Sequence, residues 1–344
     1  MSRIKILIVD DSAFARKVLR EILQGSDQIE VVATARDGAE ALEMVEQLSP
    51  DLVICDLNMP VLDGVKFVQR QMISRPVPIL ILSSAPQDAA EVIEALSAGA
   101  VDVIQKPSAL ATDDLRSVRT VLMDKVAEAM QVPLPNLRIP EISKPTLTRP
   151  ATVTGNVDVV VLGVSTGGPQ ALRRLLPLLP HDFPAPIAMV LHMPVGYTAL
   201  YAEKLNELCA IEVKEAAEGD EMVPGRALLA MAGRHLTFRR ESDGRVLVHL
   251  SLQPLDKIHR PSVDVLFRSA AEVYQHKVLA VVMTGMGDDG TEGAAWVKAQ
   301  GGAVLTESEK SCIIYGMPRS VAEAGLSDLA VPLDEMAAAI TARL

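Results

Sequence analysis

A chain of 344 residues has room for about two domains of ordinary size, and a hydrophobic content of 49% supports sizeable cores. A net charge of −11, with no cluster of Lys and Arg, argues against a nucleic-acid partner. No apolar run approaches the ~20 residues of a membrane span. Met1-Ser2-Arg3-Ile4-Lys5 leads into a strand rather than a signal segment, and Cys55, Cys209 and Cys312 lack metal-ligand spacing. The expectation is a cytoplasmic protein with reduced thiols and no direct membrane insertion.

From Ile4 to about Met130, short apolar strands alternate with amphipathic stretches. Helices are predicted over Ala13 to Gln24, Gly38 to Gln47, Gly64 to Ser74, Asp88 to Ala98 and Asp113 to Met130, each bounded by Gly, Pro, Ser or Asp. Five strand-helix pairs predict a parallel sheet covered on both faces. Polar residues fall where the strands stop. Ile4 to Val9 runs into Asp10-Asp11, Asp51 to Cys55 into Asp56, Ile79 to Leu82 into Ser83-Ser84, and Val101 to Gln105 into Lys106-Pro107. Ligands bind beyond the carboxyl ends of such strands, so these residues read as one site.

Three carboxylates at close range need a compensating charge, which Lys106 and a hard divalent cation such as Mg²⁺ supply. A carboxylate in that setting is a nucleophile towards phosphorus. Taken singly, Asp10-Asp11-Ser12 reads equally well as a helix cap and Asp56 as a turn residue; the joint placement at four strand ends is what favours a site. These residues make 1–128 resemble a response-regulator receiver domain. The resemblance implies phosphorylation at Asp56 by a partner histidine kinase of the CheA type. It also implies Mg²⁺ held by Asp11, Asp56 and the Asn58 carbonyl with Asp10 assisting, and phosphoryl oxygens contacted by Ser83 and Lys106. Val103 stands where many receivers have an aromatic residue, which departs from the usual hydroxyl-aromatic switch.

Residues 129–155 read as a linker, because Pro133, Pro135, Pro140, Pro145 and Pro150 interleave with Ser, Thr and Lys. Alternation resumes at Val157. Val157 to Val164 runs into Ser165-Thr166-Gly167-Gly168, Ile187 to Leu191 into His192, and Val278 to Met283 into Thr284-Gly285-Met286-Gly287-Asp288-Asp289-Gly290. The segment Ala227 to Leu250, turning at Ser242-Asp243-Gly244, predicts an antiparallel hairpin inserted in an otherwise parallel sheet. The fold class is thus α/β, with two doubly wound parallel-sheet domains, the second Rossmann-like over 156–344.

A serine on a Gly-rich turn after a strand presents its hydroxyl at the lip of the sheet, near backbone N–H groups that can receive an oxyanion. The turn lacks the G-x-G-x-x-G of a dinucleotide cradle. His192, at a strand end, suits a general base. His181, His235, His249, His259 and His276 default to structural roles, with His235 and His259 as lesser candidates. For the acid that orients the imidazole, Asp289 leads, Asp288 is adjacent, and Asp264 reads as the first turn of a capped helix.

The order Ser-His-Asp and the missing G-x-S-x-G separate this set from α/β-hydrolases. The blocks Gly163 to Pro169, His192 to Thr198, His259-Arg260-Pro261-Ser262-Val263-Asp264, Thr284 to Gly290 and Tyr315-Gly316-Met317-Pro318 together resemble the CheB-type methylesterases. That resemblance implies removal of methyl groups from glutamate methyl esters on the cytoplasmic helices of chemoreceptors, and deamidation of particular glutamines there. By motif it implies Ser165 as nucleophile, His192 as base, Asp289 as orienting acid, and an oxyanion hole at Met286 and Thr166, with no cofactor in this domain. Two departures are Ala230-Met231 where the family often has Ala-Pro, and Glu307-Ser308 where it often has Gln-Asp. Two alternatives are a catalytically inactive receiver-scaffold that binds receptors, and a nucleotide- or phosphate-binding output domain. Retention of Ser165, His192 and Asp289 disfavours the first, and the missing fingerprint the second.

Overall fold

The computed structural model describes residues 3–83, 88–106, 112–137 and 157–344, with only the backbone described for 112–118. The chain forms two compact units, Met1–Pro140 and Glu141–Leu344. Most of the expected linker lies outside the described residues, as do Ser84, Pro107 and Asn156.

The first unit runs β1 (Ile4–Val9), α1 (Ala13–Gln24), β2 (Ile29–Ala35), α2 (Gly38–Leu48), β3 (Leu52–Asp56), α3 (Gly64–Ser74), β4 (Ile79–Ser83), α4 (Ala89–Ser97), β5 (Asp102–Gln105) and α5 (Thr112–Ala129). Its strands pair in parallel in the order β2-β1-β3-β4-β5. β3 and β4 are buried along their whole length, as helices on both faces require. Side-chain caps start the helices: Ser12 accepts from the Ala15 N–H, Asp37 from Ala39 and Glu40, and Asp63 from Lys66. Past α5, a 3₁₀ turn at Leu134–Leu137 buries Leu137.

The second unit runs β6 (Val159–Val164), α6 (Gly168–Leu175), β7 (Ile187–Leu191), α7 (Thr198–Asn206), β8 (Glu212–Glu215), β9 (Arg226–Leu229), β10 (His235–Arg240), β11 (Val246–Ser251), α8 (Val263–Tyr274), β12 (Val278–Val282), α9 (Thr291–Ala299), β13 (Ala303–Glu307), α10 (Met317–Glu323), β14 (Leu329–Val331) and α11 (Leu333–Thr341). Seven strands form a parallel sheet in the order β14-β13-β12-β6-β7-β9-β8. Chain order reverses direction about β6, which has β7 on one side and β12 on the other, so the strand ends there form the topological switch point.

The hairpin is present but begins later than the apolar pattern indicates. Leu228 and Leu229 belong to β9 in the parallel sheet, the chain turns at 230–234, and β10 pairs with β11 in a separate two-stranded antiparallel sheet. Phe238, Val246 and Val248 pack with Leu266, Phe267 and Ala270 of α8, so α8 shields the pair rather than the large sheet extending through it. Among the described residues, no helix is long and apolar enough to cross a membrane.

Candidate functional site

In the first unit, β1 and β3 are neighbours, so Asp10-Asp11 and Asp56 converge at one end of the sheet. One ligand atom from each of Asp10, Asp11 and Asp56 lies within 4.8 Å of the others; Asp10 and Asp56 are buried and Asp11 is exposed. Lys106 reaches in from the end of β5, 2.8 Å from Asp10 Oδ2 and 3.0 Å from Asp56 Oδ1. Burial pushes the Asp56 carboxyl above its usual range despite Lys106. Burial also works against the Lys106 ammonium, but hydrogen bonds and charges from Asp10 and Asp56 outweigh it and hold its pKa above the ordinary value. Three acids against one ammonium leave an excess of negative oxygen donors open on the Asp11 side. That donor set fits a hard divalent cation.

Ser83 ends β4, where its Oγ donates to Asp88 Oδ2 at 3.3 Å; Asn58 Nδ2 donates to Asp88 Oδ1 at the same distance. Asp88, which the sequence shows only as a helix boundary, therefore ties together the loops after β3 and β4.

In the second unit, Ser165, His192 and Asp289 follow the adjacent strands β6, β7 and β12. His192 Nε2 lies 2.9 Å from Asp289 Oδ2. The same oxygen accepts from the Val263 N–H at 2.8 Å, while Oδ1 accepts from Ser262 Oγ and the Asp264 N–H, each at 2.9 Å. Burial alone raises the Asp289 pKa, but the hydrogen bond and charge of His192, with the helix N–H groups, hold it well below the usual carboxylate range. An ionised Asp289 takes the His192 Nε2–H, leaving Nδ1 as the basic nitrogen of the neutral ring. That Nδ1 is buried and has no hydrogen-bond partner among the described residues, so Ser165 Oγ is not bonded to it here. Bonds of this kind are often long before substrate binds.

Asp288 is exposed. Asp264 turns away: its Oδ1 accepts from the Gly290 and Gly293 N–H groups at 2.8 Å, and Oδ2 pairs with Lys257 at 3.0 Å. The two acids thus cap one another's neighbourhoods, Asp289 at the start of α8 and Asp264 at the start of α9. His259, a lesser candidate in the sequence, stacks on His192 with ring centroids 4.0 Å apart and planes 17° apart.

Ser165 is buried, and its backbone N–H is committed to the Thr284 carbonyl at 3.0 Å. The turn that follows needs glycine at 167, where φ is +78° and a Cβ would collide with Ile313. A Cβ on Gly285 would stand 2.8 Å from Ser165 Cβ, so the loop carrying Met286 lies directly against the serine. Thr284 binds these loops together: its Oγ1 donates to the Thr166 carbonyl and accepts from the Ile314 N–H, both at 2.9 Å. Its own N–H goes to Glu307 Oε2 at 2.9 Å, a carboxylate that is fully buried. Thr166 is buried and Met286 half-buried.

Comparison with known proteins accounts for both units. The CheB methylesterase family model matches residues 160–340, and the response regulator receiver domain model matches 6–118. The chain belongs to the CheB methylesterase family. A Myxococcus xanthus relative named protein-glutamate methylesterase/protein-glutamine glutaminase 5 is 48% identical, across 98% of this chain and 97% of its own length. A Thermotoga maritima relative named protein-glutamate methylesterase/protein-glutamine glutaminase is 42% identical, across 96% of this chain and 95% of its own. The crystal structure of the Thermotoga maritima CheB methylesterase catalytic domain aligns with a TM-score of 0.53 and 41% identity, covering 55% of this chain and 99% of that one.

Proposed function

We propose that this chain is a phosphorylation-activated protein-glutamate methylesterase and protein-glutamine glutaminase acting on the cytoplasmic helices of chemoreceptors. In this reading residues 1–128 are the receiver, 129–155 the linker and 156–344 the catalytic domain. The observation that carries it is the His192–Asp289 pair, 2.9 Å apart beside Ser165, with the second imidazole nitrogen buried and unbonded among the described residues.

Ser165 Oγ attacks the carbonyl carbon of a glutamate methyl ester while His192 Nδ1 takes its proton. Asp289 stabilises the resulting imidazolium. The oxyanion is met by N–H groups of the loops carrying Met286 and Thr166. Collapse breaks the bond to methoxide, which takes the proton from His192 and leaves as methanol, giving a glutamyl-serine ester. Water then attacks that ester, passing its proton to His192, and the receptor glutamate and Ser165 are released. For a glutamine substrate the first leaving group is ammonia.

In the receiver, Asp56 accepts the phosphoryl group from a CheA-type kinase, and Ser83 and Lys106 contact its oxygens. Asp11, Asp56 and the Asn58 carbonyl, with Asp10 assisting, would hold Mg²⁺, which would supply neutralisation of charge on the phosphoryl group. Lys106 bonds Asp10 at 2.8 Å and Asp56 at 3.0 Å and so draws the two carboxylates together. Phosphorylation shifts a two-state equilibrium towards the active form.

Methanol release from a methylated receptor fragment, with and without a small phosphodonor, tests both sites. The reading requires release that rises with phosphodonor and disappears in Ser165→Ala. No release by the phosphorylated wild type would refute it.

A further inference from the structure

Asp289 holds His192 at one edge only, through Nε2. A ring fixed by one hydrogen bond can rock about that bond, and Nδ1 has no partner among the described residues to stop it. What lies against its face is the imidazole of His259, at 4.0 Å and 17°. His259 is itself exposed, yet the segment bearing it is firmly anchored. Lys257 Nζ bonds Asp264 at 3.0 Å and Glu292 at 2.6 Å; the Arg260 carbonyl accepts from the Gly233 N–H at 2.9 Å. Ser262 caps α8 and bonds Asp289, and the His235 ring lies 3.1 Å from the Pro254 carbonyl.

We propose that His259 is a positioning residue: its ring fixes the plane of His192 so that Nδ1 faces Ser165. The proposal rests on the reading of His192 as the base.

The test uses the full chain with His259→Phe and His259→Gln. Ring signals of labelled histidines are followed by NMR, alongside kcat and KM for methanol release from a methylated receptor fragment. Phe keeps a stacking plane. Gln removes the plane, and kcat falls about tenfold with KM within about twofold, as expected for loss of an aromatic pair; Phe retains more of kcat than Gln does. A His259→Phe enzyme no faster than His259→Gln, or wild-type kcat in His259→Gln, overturns the proposal. So does the absence of a ring-to-ring contact between His192 and His259 in the wild-type NMR spectra, a measurement that needs no variant to fold. If the wild type releases no methanol, the methylesterase reading fails while that NMR contact still decides the stack.

Discussion

Replacing Asp289 by Asn removes a negative charge and puts an amide NH₂ where a carboxylate oxygen receives two donors. Each oxygen of Asp289 serves one backbone N–H and one side chain: Val263 N–H with His192 on Oδ2, Asp264 N–H with Ser262 on Oδ1. Whichever way the amide turns, its NH₂ therefore faces a backbone N–H at the start of α8. Turned towards His192, it also forces the tautomer with the proton on Nδ1, which cannot accept from Ser165. Turned away, it leaves the base in the right tautomer but without the charge that stabilises the imidazolium. The expected loss in kcat is 10³- to 10⁴-fold; the upper figure is that of the equivalent change in a serine protease. One helix N–H left against a donor, with loss of a favourable charge at the helix start, lowers stability by about 2–4 kcal/mol. The folded pKa of Asp289 is depressed, so its stabilising contribution is fully present above the ordinary carboxylate pKa and is lost as pH falls through the folded value. The stability gap between wild type and variant should therefore be constant near neutrality and close in acid. Methanol release and urea unfolding, with Asp288→Asn as control, make the measurement. An Asp289→Asn enzyme within tenfold of wild type, or an equal loss in Asp288→Asn, would refute the reasoning.

Glu307→Gln should raise thermal stability near neutral pH. The raised pKa of this buried acid means the fold disfavours its charge, so wild type loses stability as pH climbs from the ordinary Glu value through the folded one. Gln keeps an oxygen for the Thr284 N–H and turns its NH₂ to Ser311 Oγ, and a gain no larger at neutral pH than near pH 4 would contradict this. Gly285→Ala drives a methyl group to 2.8 Å from Ser165 Cβ, and methanol release should fall at least tenfold; an enzyme of wild-type rate would show that the loop yields. Lys125→Met removes the ammonium that Asp102 and Glu128 hold at 2.8 Å each, and should cost about 1–3 kcal/mol in urea unfolding. Asp56→Asn should abolish labelling by a small phosphodonor and its effect on esterase rate. A truncation starting near Asn156 should release methanol faster than the unphosphorylated full chain if the receiver inhibits.

The alternation of strand and helix was legible because buried parallel strands read as continuous apolar runs, and the polar residue ending each marks the functional edge. Ser165 and His192 could be singled out for that reason, and Asp289 as the leading one of three acids. The hairpin start was not legible, since Leu228 to Ala232 is one apolar run whose break depends on where β7 stops pairing with β9. Nor was the choice between Asp288, Asp289 and Asp264: all three stand in acidic, helix-starting contexts, and only the crossing of α8 and α9 separates them. His259 stood out only as a lesser candidate, for a different reason. Ring stacking has no sequence period, and the segment carrying it is the irregular connection between β11 and α8.

The reciprocal capping of α8 and α9 also bears on how this family can diverge. A descendant that no longer hydrolyses esters gains nothing from Ser165 or a competent His192, and substitutions there leave both helix starts intact. Asp289 is under a second, architectural constraint through three donors at the start of α8. Among relatives that have lost the chemistry, the acid should therefore outlast the serine and the histidine. Its presence alone is a poor marker of activity, and the state of the other two positions is the better one.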